Sequence, residues 1–206
     1  MKFKIITLMV SALFSANLKA LDSQESVNSM GNRPDSSNGW SVSLGHLNLE
    51  EKNAFAEGIK DTAFYLRGAW EGNKDQLVYG AGLTIAFLSD NDSFSVVVED
   101  YFGDVSTASS DATAFGGFGE IGYSMPFESN NASFDILGGV ELLWAERGIT
   151  NCSNCPSEDI NLDGGLYFKP RFRFFTSSTM AVSIAYQHYL SADIENGISV
   201  DFSWHY

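Results

Sequence analysis

Beyond its first twenty residues this 206-residue chain has no run approaching 18 consecutive apolar residues, so past that point it holds no candidate transmembrane helix. Bases are scarce as well. Lys and Arg number 12 against 26 Asp and Glu, and a chain so short of positive charge repels phosphate backbones, which excludes nucleic acid as a partner. There are two cysteines, Cys152 and Cys155, and three histidines, His46, His188 and His205. A zinc site at the cysteines would need two further ligands, which no nearby His or Cys supplies. An EF-hand is excluded too: the acidic stretches Ser89–Asp92 and Asp163–Gly165 lack its fixed ligand order and closing Glu, and read as solvated turns.

What the chain does have is alternation. In Gly197–Tyr206 the residues Ile198, Val200, Phe202, Trp204 and Tyr206 point one way along a strand, while Ser199, Asp201, Ser203 and His205 point the other. One face is wholly apolar and the other wholly polar, and the segment closes on an aromatic ring. That is the pattern of a lipid-facing strand in a transmembrane β-barrel, with Phe202, Trp204 and Tyr206 as the C-terminal assembly signal. The opposite terminus agrees. Met1–Lys4 is a basic n-region, Ile5–Phe14 an apolar h-region of about ten residues, and Ser15–Ala20 a small and polar stretch with a cut after Ala20. Residues 1–20 therefore read as an export signal. Lys2, Lys4 and Lys19 leave with it, so nine bases face 26 acids at a formal charge of −17.

Residues 21–39 are polar, Ser/Asn-rich and broken by Pro34, and read as a flexible lead-in. From Trp40 a period of two recurs over 40–49, 61–71, 75–88, 92–102, 112–126, 132–148, 160–175, 179–191 and 196–206, separated by turn-type clusters. The fold class is all-β, an antiparallel up-and-down barrel. Nine candidate strands conflict with the even count of single-chain bacterial barrels. Counting back from a periplasmic C-terminus makes 192–195, 149–159, 103–111 and 72–74 extracellular, and 176–178, 127–131 and 89–91 periplasmic. Long connections then fall outside and short ones inside. This predicts eight core strands over 61–206, with the rest of the 40–206 domain, residues 40–60, as an N-terminal extra. Asn48–Glu51 resembles a helix N-cap, predicting a short helix over about 49–60. A ten-stranded barrel is the alternative.

The apolar phase carries no charge from Phe64 through Leu162 and Leu166 to Tyr186, as lipid contact requires, since Lys or Arg there costs roughly 2–4 kcal/mol. Phe94, Val96, Val98 and Phe102 belong to it. The complementary phase collects Arg67, Glu99, Glu120, Asp135, Glu141, Asp163, Lys169, Arg171, Arg173, Gln187 and Asp201. Charges inside a narrow barrel must pair or stay wet. Six acids face four bases, which predicts a luminal charge network that plugs the barrel. Small residues on the same face, such as Gly80, Gly116, Gly139 and Gly165, make room for long side chains.

The opening Gly39-Trp-Ser-Val-Ser-Leu-Gly45, the Gly-rich alternation Phe115-Gly-Gly-Phe-Gly-Glu-Ile-Gly-Tyr123 and the aromatic terminus resemble the small outer-membrane β-barrel superfamily, the group of the OmpA transmembrane domain and OmpX-like proteins. The likeness covers most of residues 40–206 and specifies architecture, not activity. It implies export to the bacterial outer membrane, assembly by the barrel-assembly machinery and contact with outer-membrane lipid and lipopolysaccharide as a monomer. No peptidoglycan-binding domain is expected after the barrel.

Cys152 and Cys155, three apart in the longest late connection, read as a local disulfide in an exported protein. Some outer-membrane barrels are lipid A deacylases, with His and Ser two apart on one strand. Here His188 and Ser191 are three apart, on opposite faces of a regular strand. His188 reads instead as interfacial and His205 as a polar rim group. No catalytic, metal or cofactor site is expected. The functional expectation is a structural or surface-interaction role, with a lipid-modifying enzyme and a small pore as rivals.

Overall fold

The computed structural model describes residues 36–91, 94–95, 97–99, 105–107, 109–127, 131–150 and 157–206. Eight long strands make a closed antiparallel ring: β1 (Ser36–Leu49), β2 (Thr62–Lys74), β3 (Leu77–Leu88), β6 (Ser109–Pro126), β7 (Ala132–Thr150), β9 (Leu166–Phe175), β10 (Met180–Tyr189) and β11 (Ile194–His205). Each pairs with its predecessor in this order, and β1 closes the ring on β11 from Gly39 opposite His205 to Leu49 opposite Ile194. Three short pieces stand outside it. A two-stranded sheet joins β4 (Val97–Glu99) to β5 (Val105–Thr107), and β8 (Ser157–Ile160) pairs with β7 above the point where β9 takes over that edge.

The barrel has the expected number of strands but not the expected members. Residues 40–49 are not an extra; they belong to β1, which starts at Ser36 and so also claims the end of the predicted lead-in. Of the predicted 92–102 strand, the described Val97–Glu99 form the three-residue β4, which pairs with β5 and not with the ring. The alternation over 92–102 has another cause, at least at Phe94, whose ring lies 3.8 Å from the Arg147 guanidinium. Exchanging one strand for the other reverses the ends of two connections. The β2–β3 turn lies with the chain termini, and the residues after Leu88 lie at the opposite end. That turn has two residues, Asp75 and Gln76, with Asp75 at φ 55, a left-handed conformation that Asp tolerates well.

A single turn and a half of helix, α1 (Glu51–Ala56), sits in the β1–β2 connection. Its N-cap is Glu50 rather than Asn48, because Asn48 stays in β1 and donates to Asn196 across the seam at 2.7 Å. No helix among the described residues is long and apolar enough to cross a membrane, a test to which strands are indifferent.

The strand period of two divides the ring into an outer and an inner face. Outward residues at the terminal end are aromatic: Trp40 lies opposite both Trp70 and Trp204, and Tyr79 packs on Trp70 with ring centroids 5.6 Å apart. Toward the other end Phe64 stacks on Phe87, and Phe115 lies opposite Trp144. Between these rings the outer wall is Leu44, Leu66, Leu83, Val140, Ile184, Val200 and their neighbours, with no Asp, Glu, Lys or Arg. Charges resume only beyond the aromatics, at Lys74 on one side and at Asp111, Glu146 and Glu195 on the other. On β6 the outward positions from Phe115 to Tyr123, none of them charged, extend about 27 Å along the strand at ~3.4 Å per residue.

Candidate functional site

The interior is the most elaborated part of the molecule, and it has two halves. From the terminal end to the middle its polar lining is Ser, Asp, Glu, Arg and Lys, with scattered apolar side chains such as Val78 and Leu137 among them; from the middle to the opposite end a continuous cluster of Leu, Ile, Ala and Tyr lines it. In the polar half the charges form three groups. Arg171 and Arg173 on β9 face Asp135 on β7 and Glu71 on β2: Arg171 reaches Glu71 at 2.6 Å and Asp135 at 2.9 Å, and Arg173 reaches them at 2.7 and 3.1 Å. Ser124 and Ser133 donate to the same Asp135 carboxylate. One layer up, Glu120 on β6 accepts from Lys169 at 3.2 Å and from the Tyr167 hydroxyl at 3.0 Å.

The third group sits at the boundary between the halves. Arg67 pairs with Glu141 at 2.6 Å and also donates to Gln187, Thr84 and the Tyr189 hydroxyl. Tyr189 and Thr84 in turn donate to Glu141. The guanidinium lies within 4.9 Å of the Tyr65 ring centroid and 4.8 Å of the Phe118 centroid, so its faces are stacked while its edges are bonded. Both members are almost completely buried. A lone charge there would be very costly, which is why every edge of the guanidinium finds an acceptor.

Above Arg67 the inward positions turn apolar. Leu47, Leu49, Ala63, Leu88, Leu143, Ile160, Leu162 and Ile194 pack into one cluster with Ala54 and Ile59 from the β1–β2 connection, which crosses the barrel mouth. Arg147 holds this cap together. It pairs with Asp90 at 2.8 Å and Glu158 at 3.1 Å and donates to the Glu57 carbonyl at 2.7 Å, joining three connections through one side chain. Asp193 does the same on the other side, accepting from Asn53 and from the Asp163 backbone amide.

Of the residues expected inside, Arg67, Glu120, Asp135, Glu141, Lys169, Arg171, Arg173, Gln187 and Asp201 all face inward on ring strands. Asp163 does not: residues 161–165 are not a strand, so its phase is lost and it is exposed, while Leu162, expected to face lipid, is buried in the cap. Glu99 lies in β4, outside the ring. Glu71 and Arg147 were not anticipated. Glu71 shares the phase of Arg67, but the Gly72–Asp75 turn signal cuts the predicted strand short just there. Cys152 and Cys155 lie outside the described residues.

The terminal aromatics Phe202 and Tyr206 are exposed on the outer face and Trp204 is half-buried there. His205 points inward at the rim, bonded to Ser37 and Ser203 at 3.2 Å each. His188 and Ser191 line one open cleft of about 400 Å³ beside the β10–β11 turn, together with Glu50, Tyr186 and Glu195. No hydrogen bond links His188 to Ser191 or to an acid among the described residues. Nor do three His, Cys, Asp or Glu side chains gather anywhere among the described residues to hold a metal.

No protein-family model and no curated protein matches the chain. Among solved structures it is similar to Neisserial surface protein A, at 7% identity and a TM-score of 0.45, over 84% of this chain and 95% of that one. It is also similar to an outer-membrane channel from Pseudomonas putida F1, at 6% identity and a TM-score of 0.30, over 89% of this chain and 100% of that one.

Proposed function

We propose that this protein is an integral outer-membrane β-barrel with a structural or surface-interaction role, closed to solutes and without catalytic activity. The observation that carries the reading is the inversion of its two faces: the outer wall is apolar and exposed between two aromatic tiers, while the charged side chains are buried inside. In water that arrangement would expose far more apolar surface than a soluble protein tolerates, whereas in a bilayer each face meets the medium it suits. Closure rests on two barriers in series, the paired charges below Arg67 and the apolar cap above it. Lipid and lipopolysaccharide are the expected surroundings, the barrel-assembly machinery the expected route of insertion, and a monomer the expected state. The long connections gathered at the capped end are the expected contact surface. They are acidic at Glu51, Asp61, Asp159 and Asp163, and Phe55 on α1 stands exposed among them.

Purified protein folded into lipid tests this directly. The expected result is protease-resistant insertion, no steady single-channel current and no loss of acyl chains from lipid A. A steady current would establish a pore, acyl-chain loss would establish the enzyme, and failure to insert would refute the membrane reading itself.

A further inference from the structure

The interior charges do not balance. Among the described residues four bases, Arg67, Lys169, Arg171 and Arg173, share the lumen with five acids, Glu71, Glu120, Asp135, Glu141 and Asp201. Arg67 satisfies Glu141, Lys169 satisfies Glu120, and the two remaining arginines satisfy Glu71 and Asp135. Asp201 is left over. It is 2% exposed, one carboxylate oxygen accepts from Ser199 at 2.8 Å, and the other is buried with no hydrogen-bond partner. Arg171 attracts it from beyond ion-pair distance, but that guanidinium forms its ion pairs with Glu71 and Asp135.

The surroundings of Asp201 are hydroxyls. Its cross-strand partners are Ser43 on β1 and Ser183 on β10, both buried and inward-facing, and Ser199 and Ser203 flank it on its own strand. Below it Ser41 and Ser203 lie opposite one another, and below them Ser37 and His205 are bonded at the rim, so a polar wall runs from the terminal mouth to the carboxylate. Above it the apolar cap shuts the barrel.

From this we propose that Asp201, with the hydroxyls of Ser43, Ser183 and Ser199, forms a binding site for one small monovalent cation, entered from the terminal end and blind at the other. A hard cation is held by oxygen ligands, which carboxylate and hydroxyl supply. Its single charge matches the single uncompensated carboxylate; a divalent ion would leave the lumen with an excess positive charge. The site is separate from the contact surface proposed above, and it is consistent with a barrel that admits an ion without passing it.

The test is the apparent unfolding midpoint of the detergent-folded protein in sodium chloride against N-methyl-glucamine chloride, at equal ionic strength of about 150 mM. The organic cation is too bulky to enter. The expected result is a midpoint higher in sodium by about 3 °C or more, since a ligand that binds only the folded state raises stability by mass action. Asp201→Asn should abolish the difference, and Ser43→Ala with Ser183→Ala should shrink it in a barrel whose carboxylate is intact. Glu195→Gln, an exposed acid at the far end, should keep it. Equal midpoints in the two salts for the unaltered protein would overturn the site, as would a sodium effect that survives Asp201→Asn. Neither outcome bears on insertion or closure, which the lipid assay reads separately.

Discussion

Arg67 shows how much of this barrel depends on single side chains. It donates to four partners and stacks on aromatic rings, so removing it strands Glu141 at the centre of the lumen. Arg67→Ala is expected to destabilise the folded barrel by about 3–5 kcal/mol, measured as urea unfolding in detergent, because a buried acid loses its counter-charge. Lys52→Ala, on the exposed face of α1, should stay within about 0.5 kcal/mol. Two glycines make a second matched pair. A Cβ at Gly139 would stand 2.4 Å from the Tyr167 ring, whereas at Gly119 it would meet nothing within 4 Å. Gly139→Ala should therefore cost about 1–3 kcal/mol by displacing the tyrosine that serves Glu120, and Gly119→Ala should be nearly neutral. Most inward charges could be found by phase alone, since a strand that shows one face to lipid must show the other to the lumen. Asp163 could not, because phase has no meaning once residues 161–165 leave the strand.

At the level of the strand, legibility depended on what else could produce alternation. β11 was plain in the sequence because its two faces differ at every position from Ile198 to Tyr206. β1 is nearly as plain, but the even count expected of a barrel favours a segment at 92–102 in its place, whose described residues Val97–Glu99 pair with β5 outside the ring. The apolar cap was hidden for a related reason: Leu47, Leu49, Leu88 and Leu143 lie in the inward phase, where the barrel pattern leads one to expect polar residues. The two strand assignments make opposite predictions. A chain beginning at residue 61 lacks β1, leaving β2 and β11 with open edges. It should fail to give a compact, protease-resistant barrel in detergent; if it succeeded, β1 would be dispensable. Phe202→Asp tests β11 separately. It puts a charge on the outer wall between the aromatic tiers, and fractionation should show less protein in the outer membrane and more in the periplasm.

Across the whole molecule, polarity is arranged along the barrel axis as well as across the wall. The chain ends and short turns lie at the polar end of the lumen, and the long connections lie at the capped end, clamped by Arg147 and Asp193. Arg147→Ala releases three connections from one another without touching the ring. It should speed proteolysis of those connections while leaving the strand core resistant, and equal cleavage rates would show that the cap is held by its apolar contacts alone. The ring itself has a built-in order of completion. Seven of its eight seams join strands that follow one another among the ring members, but the eighth joins β1 to β11 and brings Gly39 opposite His205. Closing that loop carries the largest entropy cost of any pairing in the protein. Every other hairpin can form while the last strand is still unpaired, so the seam should register last, as the latest amides to gain protection when hydrogen exchange is pulsed during refolding. Until then the sheet is an open curl, and the charges on its concave side stay in water, where they need no partners.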